Sequence, residues 1–261
     1  MLNRTAARHE CCRGGRVEVL PMLVSQSQRV AFAHYPKTAG SSLQRWFLDA
    51  FPDAALLVPD NPHLPVAESL QLLRPHRWQR RLHRLRSRAL KLLAPAVGTR
   101  PMASPGGLRI VGAIREPFEM LVSLYEFWQR EPFATPPTDP FINCARHGRF
   151  RDFLAAAVIG GRVDPYDRFF DVGGPAWPET VLLDFASIEP ALRSLSADLG
   201  IPRPKPLPQL NRAPAGQRDL DRFRDEAGPL LAEVRRHFRW YYEEGVYLML
   251  RGSDAGLSRA A

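Results

Sequence analysis

Residues 30–51 constrain the fold of this 261-residue chain more than any other segment. They begin with an apolar run that includes Val30 and Phe32, and they pass through a short stretch punctuated by Pro36 and Gly40. Apolar residues at helical spacing follow, at Leu43, Trp46, Phe47 and Ala50. The pattern predicts a buried strand, a loop and an amphipathic helix. Such a loop directs backbone N–H groups and a helix N-terminus toward one point, where they favour an anion.

The side chains of this loop also suit an anion that resembles phosphate. Lys37 adds a positive charge, and hydroxyl groups at Thr38, Ser41 and Ser42 add hydrogen-bond donors. The order differs from that of a Walker A loop, in which the lysine follows the second glycine. The loop therefore predicts a phosphate site of another kind, with an ordinary turn carrying an exposed lysine as the alternative.

A second segment also combines a strand with a helix. Residues 110–114 predict a buried strand, and Pro117 is expected in the first turn of the following helix. Arg115 lies between the two elements, and Ser123 lies about 140° around the helix from the core residue Phe118. Ser123 is therefore expected to point away from the core. A guanidinium and a hydroxyl placed in this way can hold one phosphate.

Together, the two segments resemble the cofactor-binding motifs of sulfotransferases that use 3′-phosphoadenosine 5′-phosphosulfate (PAPS), and those of the carbohydrate sulfotransferases in particular. Residues 36–43 are similar to the loop that binds the 5′-phosphosulfate, and Arg115 with Ser123 is similar to the pair that binds the 3′-phosphate. Two positions depart from the family pattern. Glu116 stands where the family usually has Asp or Asn, and Met120 stands where it usually has a second arginine.

The resemblance implies an α/β, P-loop-like fold of three layers, in which helices flank a central parallel sheet and PAPS binds at the carboxyl ends of the strands. It implies transfer of a sulfuryl group from PAPS to a hydroxyl of a carbohydrate or glycolipid, with an amine as the second choice, and release of 3′,5′-ADP without a metal. Lys37 is implied to contact the sulfuryl group and its bridging oxygen. The residues implied to bind the cofactor are Lys37, Thr38, Ala39, Gly40, Ser41, Ser42, Arg115 and Ser123.

Transfer to an alcohol needs a base for the acceptor's proton, and histidine suits this role because it titrates near neutral pH. His63 is the first candidate, since its spacing from the following Ala-Glu pair resembles a histidine-bearing segment on the acceptor side of the family. A loop histidine without a catalytic role is the competing interpretation. His34 and Glu68 remain alternatives, while His76 and His83 rank lower because arginines surround them.

Positive charge is concentrated between residues 69 and 115, where eleven Lys and Arg residues occur without any Asp or Glu. The densest part, residues 74–93, predicts a basic amphipathic helix. Such a helix suits an anionic membrane surface, a nucleic acid or a polyanionic acceptor, and a solvated helix face is the alternative. Residues 74–107 look like an insertion relative to the family. The resemblance and this basic stretch together favour a glycan or glycolipid acceptor, with contact with an anionic surface as an option, and no nucleic acid is expected.

The rest of the chain is consistent with one domain. We expect residues 1–28 to be a flexible N-terminal segment, residues 29–250 to form the sulfotransferase domain, and residues 251–261 to be a frayed tail. The sequence contains no run of about 18 apolar residues. Its three cysteines lack disulfide or metal spacing. These features favour a cytoplasmic protein, with peripheral membrane contact through residues 74–93 as an option, and the abundance of Ala, Arg and Pro fits a bacterial one.

Later elements carry weaker signals. Residues 179–185 predict a third strand, residues 188–200 predict a helix, and residues 220–242 predict a long final helix. Asn211 and Arg212 follow a segment that resembles one near the adenosine of the cofactor, although Ala213 replaces the serine of the family. Two other functions stay open: a kinase-like phosphotransferase that uses the same loop for ATP, and a non-catalytic membrane or nucleic-acid binder.

Overall fold

A computed structural model of the protein describes residues 22–56, 65–73, 107–130, 139–170, 179–210, 219–245 and 249–250. Within these ranges, six strands form one sheet in the order β3-β1-β2-β4-β5-β6. The strands are β1 (Leu23–Ser25), β2 (Val30–Phe32), β3 (Ala55–Leu56), β4 (Arg109–Ile114), β5 (Thr180–Asp184) and β6 (Met249–Leu250). The predicted strands of the loop segment, of the Arg115 segment and of residues 179–185 are β2, β4 and β5.

The sheet is only partly parallel. Strands β2, β4, β5 and β6 pair in parallel, whereas β1 is antiparallel to both β2 and β3. The prediction of a mixed α/β fold is confirmed, but the prediction of a parallel sheet holds for only four of these six strands. The reason is the short link between β1 and β2, because residues 26–29 can close a hairpin but cannot form the crossover that parallel neighbours need.

The described ranges also contain nine α-helices. The helix that follows β2 is α1 (Gly40–Ala50), and the helix that follows β4 is α3 (Pro117–Arg130). The others are α2 (Val66–Leu73), α4 (Pro140–His147), α5 (Phe150–Val158), α6 (Tyr166–Phe170), α7 (Ile188–Asp198), α8 (Leu220–Ala227) and α9 (Leu230–His237). None of the helices in this part of the chain is long and apolar enough to span a membrane.

Helices pack on both faces of the sheet, and each face has its own hydrophobic core. In β4, Val111 and Ala113 join a core formed with α1 and α7, whereas Ile110 and Ile114 join a larger core formed with α3 and most other helices. Side chains of a strand point alternately to the two faces, and both faces of β4 are covered. This double burial explains why residues 110–114 are apolar without interruption.

The sheet begins earlier than the sequence analysis placed the domain. Leu23 and Val24 lie in β1, where they are 0% and 1% exposed, so the predicted flexible segment of residues 1–28 is wrong for its last part. The Asp53 carboxylate fastens the hairpin by accepting hydrogen bonds from Ser25 Oγ at 2.7 Å and from the Ser27 N–H at 2.9 Å. The residues that these hydrogen bonds join are 28 and 26 positions apart in the sequence, so a local pattern does not reveal them.

The predicted long final helix is broken into two. Helix α8 ends at Ala227, and Gly228 follows with φ 52, a left-handed conformation that a right-handed helix cannot continue. Pro229 comes next and opens α9 without an N–H of its own. A single turn of π-helix, Tyr241–Gly245, follows α9. Residues 1–21, 74–106 and 251–261, which include the predicted basic helix and tail, lie outside the described residues.

A candidate anion-binding crevice at the carboxyl edge of the sheet

The loop that carries Lys37 and the segment that carries Arg115 leave the same edge of the sheet. They follow β2 and β4, which are parallel neighbours with Phe32 opposite Val111. From β2 the chain continues through α1 on one face toward β3, and from β4 it continues through α3 on the other face toward β5. Connections that diverge in this way leave a crevice between the two strand ends, where α/β proteins bind ligands.

The backbone of the loop turns sharply just before α1. Lys37 and Ala39 have φ 61 and φ 63, a left-handed conformation that is uncommon for residues with a Cβ atom and costs about 1–3 kcal/mol each. Ala39 directly precedes Gly40, the first residue of α1. A left-handed residue followed by a right-handed one directs successive N–H groups toward one point and forms an anion-binding concavity. Strain of this kind is often kept at a functional site.

Gly40 is required because the His34 imidazole lies against it. A Cβ atom at Gly40 would lie 1.7 Å from His34 Nε2. His34 is 9% exposed and its ring stacks on Phe32 with centroids 6.2 Å apart. The imidazole therefore packs under the first turn of α1, close to the loop. The spacing of the sequence indicates a glycine in a turn, but it does not indicate that histidine is its neighbour.

Thr38 and Ser42, whose hydroxyl groups are predicted to face an anion, make contacts within the protein. Thr38 is 1% exposed and its Oγ1 donates to Tyr35 O at 2.9 Å, which closes the loop on itself. Ser42 Oγ accepts from the Leu210 N–H at 3.1 Å and keeps its own proton to donate. Ser41 is half-buried in the same turn. Thr38 can therefore offer an anion only its backbone N–H.

The contact with Ser42 brings a distant segment to the loop. Trp46 Nε1 in α1 donates to Lys205 O at 3.1 Å, so residues 201–210 run along α1 and end beside its first turn. Asn211 and Arg212 come next in the chain, but they lie outside the described residues. The sequence analysis expected their segment near the adenosine of the cofactor, and that expectation stays a prediction.

The Lys37 side chain extends to α3. Its Nζ atom lies 4.1 Å from the centroid of the Phe127 ring, within the range of a cation–π contact. Phe127 is in the third turn of α3, a helix that begins directly after β4. Helix α3 therefore runs from the end of β4 toward the loop that follows β2. Phe127 was missed by the sequence analysis, since no local pattern connects it with residue 37.

The Arg115 side chain is held by two neighbours and is 12% exposed. Its Nε and Nη2 atoms donate to Glu119 Oε2 at 3.3 and 2.8 Å, and its guanidinium lies 4.5 Å from the Phe185 ring. Phe185 directly follows β5, the strand next to β4. Among the described residues, Nη1 makes no hydrogen bond, so its two N–H groups can serve a ligand.

The backbone of Arg115 is fixed by the buried Tyr166 hydroxyl. That hydroxyl donates to Arg115 O at 2.7 Å and accepts from the Arg115 N–H at 3.2 Å. Burial raises the pKa of Tyr166 well above its usual value, and the hydrogen bond from the Arg115 N–H only partly offsets this. The phenol therefore keeps its proton at all ordinary pH values. Both hydrogen bonds stay available to hold the end of β4.

One face of α3 carries a residue that contacts Lys37 and a residue that contacts Arg115. Glu119, Ser123 and Phe127 are spaced four residues apart and lie above one another on the helix. Glu119 binds Arg115 and Phe127 contacts Lys37, so about 12 Å of helix, at 1.5 Å per residue, separates the two residues of α3 that make these contacts. Ser123 lies between them in the helix, and it is only 5% exposed, so the prediction that its side chain points away from the core is not confirmed.

The two departures from the family pattern have roles in packing and capping. Glu116 Oε2 accepts from the Glu119 N–H at 2.7 Å and caps α3, with Pro117 in its first turn as predicted. Its other oxygen accepts from the Tyr242 hydroxyl at 2.7 Å. Met120 is 0% exposed and belongs to the core. A cavity of about 460 Å³ beside Glu116 lies among α3, α8 and α9, and it contains none of the predicted site residues.

Of the candidate bases, His34 and Glu68 lie in the part of the chain that the structure describes. His63, His76 and His83 lie outside the described residues, Glu68 is exposed on α2, and His34 lies under α1. In the part of the chain that the structure describes, no group of three His, Cys, Asp or Glu side chains is arranged to hold a metal ion.

No protein-family model, curated protein or solved structure matches the chain.

Proposed function

We propose that the protein is a PAPS-dependent sulfotransferase of the carbohydrate type, built on a P-loop-like fold. One observation carries this proposal: the Lys37 loop and Arg115 leave adjacent parallel strands, and a single face of α3 runs from one cation to the other. A nucleotide with phosphate groups at both its 3′ and 5′ positions suits two cationic sites separated by about 12 Å of helix. A nucleotide with one phosphate would engage only one of them.

The loop would hold the 5′ end of the donor. The N–H groups around Ala39 and the first turn of α1 are suited to the 5′-phosphate, since the left-handed residues turn them toward one point. When bound, PAPS would supply an activated sulfuryl group whose bond to a 5′-phosphate oxygen breaks as the acceptor oxygen takes its place. Lys37 would stabilise the negative charge that develops on that phosphate oxygen, a contribution worth about 10²–10³ in turnover.

Arg115 would hold the 3′ end of the donor. Its Nη1 atom would donate to the 3′-phosphate while Glu119 and Phe185 keep the guanidinium plane in place. Ser123 would add a hydroxyl from the same face of α3. The proton of the acceptor would pass to a base, for which His63 remains the first candidate and His34 and Glu68 the alternatives.

The acceptor is proposed to be a hydroxyl of a carbohydrate or glycolipid. This part of the proposal depends on the resemblance of the motifs and on the basic stretch at residues 74–93. Eleven positive charges without an acidic residue between positions 69 and 115 would favour an acceptor that carries acidic groups. The same stretch could hold the protein at an anionic membrane that displays a glycolipid.

Two measurements test the proposal. Thermal unfolding is followed with 3′,5′-ADP, with 5′-AMP and with ATP plus Mg²⁺, and the protein is then incubated with PAPS and a panel of neutral and acidic glycans for mass spectrometry. We expect 3′,5′-ADP to raise the unfolding temperature most, and one or more glycans to gain the mass of a sulfuryl group. Stabilisation by ATP alone, with no effect of 3′,5′-ADP, would favour the kinase-like alternative and contradict the proposal.

A further inference from the structure

The side chain on which the proposed reaction most depends has an aromatic neighbour on another element. Lys37 belongs to the loop after β2, and its Nζ atom lies 4.1 Å from the centroid of Phe127 in α3. The two residues are 90 positions apart in the sequence (127 − 37). A contact between such distant parts depends on how α3 crosses the sheet edge, and it is not a by-product of local chain geometry.

The Phe127 ring is itself held in place. It meets the Trp128 ring edge to face, with centroids 4.9 Å apart and an interplanar angle of 61°. Trp128 packs against the larger core, and α3 is anchored there by Phe118, Leu121 and Tyr125. The ring can therefore act as a fixed platform for the lysine. Lysine needs such support more than arginine does, because its ammonium sits on a flexible four-carbon stem.

An aromatic ring holds a cation without neutralising it. The attraction comes from the ring quadrupole, so the ammonium keeps its full charge for an anionic ligand. Arg115 is restrained differently, because the Glu119 carboxylate cancels part of its charge. The Phe127 ring thus restrains Lys37 without cancelling its charge, whereas Glu119 restrains Arg115 and cancels part of its charge. A restraint of the first kind suits the role proposed for Lys37, which has to stabilise a charge that develops during the reaction.

We infer that Phe127 is a positioning residue for Lys37. Its ring holds the ammonium at the crevice end of α3, in line with Ser123 and Arg115, before a ligand binds. The contact stands on the geometry alone, whereas its effect on turnover rests on the proposed function. Loss of the ring should therefore have two separate consequences: freer movement of Lys37 in every state, and slower transfer with little change in nucleotide affinity.

The first consequence can be measured without any activity. Pulse labelling with acetic anhydride is followed by mass spectrometry, and labelling of Lys37 is compared with that of Lys205, whose side chain is 68% exposed. We expect Phe127→Leu to raise the relative labelling of Lys37 by about threefold or more, because one side of the ammonium loses its cover. Phe127→Trp should leave it unchanged or lower, since tryptophan is the better partner. Phe185→Leu is the matched control, because it removes a ring from Arg115 instead.

The second consequence concerns turnover. We expect Phe127→Leu to lower kcat about three- to tenfold while the Kd for 3′,5′-ADP changes less than about twofold, and Phe127→Trp to restore kcat. Unchanged Lys37 labelling in a folded Phe127→Leu protein overturns the inference. If that variant does not fold, increased labelling in Phe127→Trp overturns it. If labelling rises as expected but the unaltered protein binds no 3′,5′-ADP, the proposed function fails and the positioning contact stands.

Discussion

The crevice depends on the absence of a Cβ atom at Gly40. A Cβ atom there would lie 1.7 Å from His34 Nε2 and 1.9 Å from His34 Cδ2, distances that no small adjustment can accommodate. Either the imidazole leaves its place under α1, or the first turn of α1 moves. Both changes would disturb the N–H groups that the loop directs toward an anion, because Ala39 and Gly40 form the junction between loop and helix.

We expect Gly40→Ala to lower the free energy of unfolding by about 1–3 kcal/mol, the usual cost of forcing extra atoms into a packed site. Urea denaturation monitored by circular dichroism measures the effect. The double variant His34→Ala with Gly40→Ala provides the control, since removal of the imidazole makes room for the new methyl group and should recover part of the loss. A single variant as stable as the unaltered protein would show that the imidazole does not occupy this place.

Lys37 is the residue whose loss should affect turnover most. We expect Lys37→Ala to lower kcat for sulfuryl transfer by about 10²–10³, because the charge on the departing phosphate oxygen loses its partner. Steady-state kinetics with PAPS and an identified acceptor measure it. Lys205→Ala is the control for removal of a surface charge, since Lys205 binds Asp49 at 3.5 Å. A Lys37→Ala protein that retains full turnover would remove Lys37 from the reaction.

At the scale of secondary-structure elements, the stability of the β1–β2 hairpin is expected to depend on pH through the Asp53 carboxylate. Burial alone would raise the pKa of Asp53, but the hydrogen bonds from Ser27 and Ser25 outweigh that effect and lower it. A carboxyl whose pKa is lower in the folded state stabilises the fold above its unfolded pKa of about 3.9. That stabilisation is lost as the pH falls through the folded value. The hairpin should therefore loosen only in acid.

We expect Asp53→Asn to lower the free energy of unfolding at pH 7 by no more than about 1 kcal/mol, since the carboxylate is mostly exposed and screened by water. The difference between the variant and the unaltered protein should shrink as the pH falls below about 4. Urea denaturation at a series of pH values measures it. Asp221→Asn serves as control, because Asp221 is 89% exposed and makes only a surface pair with Arg224. A constant difference across that range would contradict the assignment to Asp53.

At the scale of the whole molecule, the crevice depends on the divergence of two connections. The loop after β2 leads to one face and α3 leads to the other, so neither segment alone would form the proposed site for a nucleotide with two separated phosphates. The cations are joined through α3, whose face from Glu119 to Phe127 is about 12 Å long. Removing one cation should therefore abolish the preference for such a nucleotide without abolishing all anion binding.

We expect Arg115→Ala to weaken binding of 3′,5′-ADP by about 10- to 100-fold, the range for a lost hydrogen bond to a charged group, and to leave binding of 5′-AMP within about twofold. Isothermal titration calorimetry with both nucleotides measures the preference. Arg109→Ala is a matched control, because Arg109 lies at the other end of β4 and pairs with the exposed Glu179. An equal loss for both nucleotides would indicate that Arg115 acts through the fold and not through the 3′-phosphate.

Local sequence patterns predicted the strands and helices that border the crevice. The apolar run at Val30, the loop residues before Gly40, and the proline after Arg115 each act over a few residues, and strands and helices form where they predict. The hairpin β1–β2 and the break at Gly228 were not predicted. The first depends on burial by distant residues, and the second on a glycine and proline pair inside an otherwise helical pattern.

The tertiary structure alone decided which side chains meet. The Leu210 N–H reaches Ser42 across 168 residues, Phe127 covers Lys37, and Phe185 stacks on Arg115. Each of these contacts depends on strand order and on the face to which a helix packs, and both follow from the burial of two cores at once. A sequence pattern records what one element needs from its own residues. It does not record which element will be its neighbour.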